Sequence, residues 1–66
     1  MRVKLKELRE ALGYSQTSFA KAIGISRTHY CQIESGEKDP SLKVSLKIKS
    51  GVGYTGDDIF FNQKRP

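Results

Sequence analysis

Sixty-six residues leave room for a single domain, 1–66, whose core is marginal without further support. One cysteine, Cys31, excludes an intrachain disulfide, and His29, two positions away, is too little company for a zinc site. With both staples set aside, oligomerisation is the support that remains, and twelve Lys/Arg against seven Asp/Glu give a net charge of +5, a balance that attracts a polyanion.

No apolar run approaches the roughly 18–20 residues of a bilayer span, so no membrane partner is expected. Met1–Leu12 alternates charge with leucine where a signal peptide would carry a continuous apolar stretch. A lone cysteine suits a reducing compartment, and the expected location is the cytoplasm. With one histidine and no clustered carboxylates there is no candidate active site. Neither a metal, a cofactor nor a small-molecule ligand is implied.

Glycines at 13, 24, 36, 51, 53 and 56 cut the chain into short segments with helical spacing. The first places Leu5, Leu8 and Leu12 on one stripe and closes at Gly13. Ser15 caps a second helix carrying Phe19, Ala20 and Ile23, and Gly24 ends it. Ser26 caps a third, which runs to Gly36 with Tyr30 and Ile33 on its inner side. After Asp39-Pro40, Ser41 caps a fourth with Leu42, Leu46 and Ile48 as its apolar positions and Val44 and Val52 as secondary ones. Thr55 to about Phe61 is expected to add a fifth, led by Asp57 and Asp58 at its positive end. The predicted fold is all-α: five short helices and no strand.

The second and third segments, about 15–36, are joined only by Gly24-Ile25-Ser26, which is the signature of a helix-turn-helix. Gly24 supplies the positive φ that the turn needs, and Ile25 fills the angle between the helices. Over Leu5-Lys6-Glu7-Leu8-Arg9, Ser15-Gln16, Phe19-Ala20, Gly24-Ile25-Ser26-Arg27, Gln32-Ile33-Glu34-Ser35-Gly36 and Pro40-Ser41-Leu42 the chain resembles the phage repressor and Cro-type (Xre) helix-turn-helix family. The resemblance extends to Asp58-Ile59-Phe60 and implies a compact five-helix, lambda-repressor-like domain that binds operator DNA, usually as a symmetric dimer. Lys49 and Gly51, near the end of the fourth helix where the family prefers small or apolar helix formers, depart from its pattern, as does Tyr30. Gly51 would cost up to about 1 kcal/mol within a helix, and Tyr30 takes a core position usually held by a smaller aliphatic residue.

With Tyr30 and Ile33 inward, the outer face of the third helix centres on Thr28, Ser35, Gln32 and Cys31. Because the N-terminal part of such a helix meets base edges, Arg27, Thr28 and Gln32 are the expected readers. Arg27 matches guanine O6/N7, Gln32 matches adenine N6/N7, and Thr28 suits a base edge or a thymine methyl. Phosphate contact or plain solvation is the bland alternative for Arg27. Cys31 turns toward the groove with no basic neighbour fixed beside it, and His29 lies at the edge of that face. Backbone contacts are expected from Ser15, Gln16 and Thr17 at the start of the second helix and from Ser35, Lys38 and Lys43.

The family resemblance also pairs Arg9 with Glu34 as a structural ion pair across the first and third helices, the alternative being surface exposure. Phe61, with Tyr54 and Val52, is expected at a dimer interface, unless it packs back on Val3 and Leu5. The leading reading is a sequence-specific double-stranded DNA-binding regulator, a homodimeric repressor or controller on a near-palindromic operator. The rival is a protein-interaction module, such as an antitoxin or bridging factor, built on the same fold.

Overall fold

In a computed structural model, residues 1–56 and 58–60 are described. Four α-helices follow in order: α1 (Val3–Ala11), α2 (Gln16–Ile23), α3 (Arg27–Ser35) and α4 (Leu42–Val52), and a 3-10 turn at Asp58–Phe60 comes after them. No strand occurs among the described residues, so the fold is all-α. The expected fifth helix is shorter than predicted. Gly53, at φ 66°, ends α4 in the left-handed conformation, and the chain then forms only the three-residue turn that seats Ile59 in the core. Asp57 and Phe61, also assigned to that helix from sequence, lie outside the described residues.

Local chemistry sets the helix boundaries. The Ser15 hydroxyl accepts from the Ser18 amide at 3.0 Å, and the Ser18 hydroxyl accepts from the Ser15 amide at 2.9 Å. This is a reciprocal capping box with serine in place of the usual Glu or Gln. Ser26 Oγ accepts from the His29 amide at 3.1 Å and Ser41 Oγ from the Val44 amide at 3.2 Å. Each such cap contributes about 1 kcal/mol. Gly24 ends α2 at φ 80°, which lets the Ile25 amide reach back to the Ala20 carbonyl at 3.0 Å. Ile25 then packs against the core between α2 and α3.

The core comprises Leu5, Phe19, Ala20, Ile23, Tyr30, Ile33, Ile48, Val52 and Ile59. Phe19 stands at its centre, edge-on to Tyr14 at 5.3 Å and to Tyr30 at 5.1 Å between ring centroids. Such pairs add to the area they bury because each ring edge meets a negative ring face.

Two predicted stripes need correction. Leu12 is 53% exposed, because α1 ends at Ala11 and Leu12 is already its C-cap; Arg9 takes the inward position instead. In α4, Leu42 and Leu46 face solvent at 77% and 54% exposure, while Ile48 and Val52 are buried and Val44 packs beside them. The inward row is therefore 44, 48 and 52, one turn apart at each step. Val52, at 8% exposure, is a core residue and offers no surface for a dimer contact.

Gly51 explains this rotation of α4. A β-carbon on it would stand 3.0 Å from Ile23 Cγ2 and from the Phe19 ring. The departure that looked like a weak point in the helix is the place where α4 closes on α2.

Candidate nucleic-acid interface

Glu34, 1% exposed, organises the support of α3. Arg9 grips its carboxylate with two nitrogens, Nε to Oε2 at 2.8 Å and Nη2 to Oε1 at 3.2 Å. The Tyr30 hydroxyl donates to Oε2 at 2.6 Å, and Gln16 Nε2 donates to Oε1 at 3.1 Å. Arg9 Nη1 also donates to the Tyr14 carbonyl at 2.6 Å, so one buried cation joins α1, the α1–α2 turn and α3. A buried charge is tolerated when its partners are this complete.

The protonation states follow from these contacts. Burial pushes the Glu34 carboxyl up, but hydrogen bonds from Arg9 and Tyr30 outweigh it and hold the group below the usual carboxylate range. Tyr30 is pushed upward by burial and by its bond to Glu34, and hydrogen bonding to Glu34 raises Arg9. The network is therefore an anion flanked by a firm cation and a neutral phenol.

From Glu34 the contacts lead outward. Gln16 accepts at Oε1 from Cys31 Sγ at 3.3 Å, and Arg27 Nη1 approaches the same sulfur at 3.8 Å. One expectation is corrected: Cys31 has a basic neighbour, Arg27, one helical turn earlier. The Cys31 side chain is half-buried, with its sulfur engaged by Gln16. Arg27 and Thr28 are exposed, whereas Gln32 and His29 are half-buried.

The residues assigned to the DNA backbone fall into two groups. Ser15 and Thr17 are exposed at the start of α2, and Gln16 beside them is half-buried, its amide bonded to Glu34 and Cys31. Beyond α3, Ser35 Oγ donates to the Gln32 carbonyl at 3.1 Å and accepts from the Glu37 amide at 3.4 Å. Lys38 and Lys43 are exposed. Tyr54, assigned from sequence to the dimer contact, is half-buried; its hydroxyl donates to Asp58 Oδ1 at 2.8 Å, and Lys4 Nζ lies 5.1 Å from its ring centroid. Lys4 also pairs with Asp58 at 2.5 Å. Phe61 lies outside the described residues.

Arg2 is the residue that sequence reasoning missed. It is 1% exposed, and its guanidinium donates to the carbonyls of Phe60 at 2.7 Å, Lys38 at 3.1 Å and Ile33, and to Asp39 Oδ1 at 2.6 Å. Its amide donates to the Glu34 carbonyl at 2.8 Å. The one available signal was indirect. Arg2 stands at the N-cap of α1, where serine, threonine, asparagine or aspartate would normally be found, and it makes no side-chain cap bond.

Among the described residues there is no group of His, Cys, Asp and Glu suited to a metal, and no helix is long and apolar enough to cross a membrane.

Comparison with known proteins gives a consistent picture. A helix-turn-helix family model matches residues 5–59. The chain is 38% identical over 61 residues to the uncharacterised HTH-type transcriptional regulator YgzD of Bacillus subtilis (strain 168), covering 92% of each chain. It is 45% identical over 58 residues to the control protein C.MunI of Mycoplasma sp, covering 86% of this chain and 78% of the relative. It is 42% identical over 60 residues to the uncharacterised HTH-type transcriptional regulator MJ0272 of Methanocaldococcus jannaschii, covering 91% of each. No solved structure matches the chain.

Proposed function

The chain belongs to the Xre-type helix-turn-helix family of DNA-binding transcriptional regulators, not to an enzyme family, and from that membership we propose that it acts as a homodimeric repressor or controller on a near-palindromic operator. The observation that carries this reading is the outer face of α3. Arg27 and Thr28 stand exposed in its first turn while Tyr30, Ile33 and Glu34 anchor its inner side.

In this reading the chain acts as one unit, 1–66, with its helix-turn-helix at about 15–36. Arg27, Thr28 and Gln32 meet base edges, with Cys31 and His29 beside them in the groove. Arg27 uses its fork on a guanine, and Gln32 its amide on an adenine. Ser15, Gln16 and Thr17 meet one flanking phosphate, and Ser35, Lys38 and Lys43 the other. Arg9 and Glu34 hold α3 at the angle this requires. Gln16 has one amide hydrogen left after its bond to Glu34, and a donor is what a phosphate needs.

The dimer contact is proposed at Tyr54, beside the outward side of α4, and at Phe61. An open groove lined by Leu46, Lys49, Ser50, Gly53, Tyr54 and Thr55 supports this choice, because Leu46 leaves apolar surface uncovered there. Two copies would set their reading helices about 34 Å apart, one turn of duplex.

Selection of bound sequences from a random duplex pool tests the proposal. The expected product is an inverted repeat with half-sites one helical turn apart, bound with an affinity that falls steeply with salt. Failure to enrich any sequence overturns the reading.

A further inference from the structure

We infer that Arg2 is a positioning residue for DNA binding: it closes the C-terminal end of the reading helix and fixes the Lys38–Asp39 segment against the phosphate backbone. This rests on the DNA-reading role of α3 proposed above.

The last four carbonyls of a helix have no partners within it, and together they form its negative end. In α3, Arg2 meets two of them. Its amide donates to the Glu34 carbonyl at 2.8 Å, and its Nη1 donates to the Ile33 carbonyl. A third, the Gln32 carbonyl, receives the Lys38 amide at 3.2 Å, which turns the chain back onto the helix end. The guanidinium then holds that returning segment through the Lys38 carbonyl at 3.1 Å and Asp39 Oδ1 at 2.6 Å. Its Nε donates to the Phe60 carbonyl at 2.7 Å, tying the whole arrangement to the 58–60 turn.

Filling space alone does not call for this residue. A buried guanidinium is costly to desolvate, and an apolar side chain would fill the volume more cheaply. What arginine adds is a planar fork whose donors reach several acceptors in fixed directions. Those acceptors belong to the end of α3, to the segment carrying the exposed Lys38 and to the 58–60 turn. Asp39 needs particular attention, since its side chain is 88% exposed next to that lysine. A carboxylate there would repel a phosphate backbone by itself, but bonded to Arg2 it anchors Lys38.

Asp39→Ala gives the test, because the two accounts predict opposite signs. Simple charge repulsion predicts that removing a carboxylate beside DNA strengthens binding. Positioning predicts weaker binding, by a few-fold to about tenfold, with the slope of log affinity against log salt shallower by about 1 as the Lys38 contact is lost. Asp39→Ala also takes the carboxylate from a buried guanidinium and is expected to lower the unfolding midpoint, so binding is compared at a temperature where circular dichroism shows both proteins folded. Lys38→Ala should then add little in the Asp39→Ala background.

Arg2→Lys keeps the positive charge without the fork and is expected to show the same shallower slope when circular dichroism reports a folded protein. If wild-type protein binds its selected duplex and Asp39→Ala binds equally or more tightly, the inference is overturned while the DNA reading stands. Wild-type protein with no salt-dependent duplex binding overturns both.

Discussion

Gly51 of α4 meets Phe19 of α2 so closely that a β-carbon on the glycine would stand 3.0 Å from the Phe19 ring. Phe19 is fully buried and held between the rings of Tyr14 and Tyr30, so it has no room to retreat. Gly51→Ala therefore sets two effects against each other. The better helix former gains up to about 1 kcal/mol, and overpacking costs about 1–3 kcal/mol. The expected result is a lower unfolding midpoint by thermal or urea denaturation, the reverse of what alanine does at an open helix position.

Glu34 makes stability depend on acid. Its carboxyl is held below the usual range, so the folded state binds fewer protons than the unfolded chain as pH falls through the ordinary carboxylate value. The Glu34 contribution is complete above that value, about 4.3, and is lost as pH drops through the lower folded one. Thermal melts of the wild type should weaken below about pH 4.5. Glu34→Gln should melt lower at neutral pH, because removing one partner of a buried pair costs about 3–5 kcal/mol, and it should show a flatter acid limb.

Arg27→Ala separates reading from general attraction. Loss of a bidentate guanine contact costs about 1–3 kcal/mol and relaxes the preference at one base position in each half-site. A uniform loss on every duplex, with a shallower salt slope, would place Arg27 on a phosphate.

Leu46→Glu and Val52→Ala should part company. Leu46 is 54% exposed on α4, so the glutamate keeps the fold and is expected to shift sedimentation toward the monomer at micromolar concentration. Val52 is buried, and its truncation should lower the unfolding midpoint while leaving the sedimentation of the folded fraction unchanged. An undisturbed dimer in Leu46→Glu would remove this side of α4 from the interface.

These residues also mark how far the sequence could be read. The starts of α2, α3 and α4 were legible because serine caps act within three residues, and the glycine stops are equally local. The direction α4 faces was not. Leu42 and Leu46 form one row at helical spacing, and Val44, Ile48 and Val52 form another, so periodicity alone supports either. The decision comes from Gly51 fitting α2, a contact between distant segments. The reading face of α3 followed from Tyr30 and Ile33, both local, whereas the engagement of Cys31 by Gln16 spans fifteen positions and left no trace in either segment. Arg2 was illegible for the same reason: all the acceptors of its side chain lie at least 31 positions away.

The two rows of α4 have different freedom to change. Every substitution in the row 44, 48 and 52 is felt by the core, and Gly51 admits almost nothing larger. Leu42 and Leu46 lie outside that row and are exposed, so substitutions there cost the fold less. If copies pair through α4 as proposed, a lineage carrying this fold could alter that pairing while α2 and α3 stay intact, and copies that no longer paired would still fold.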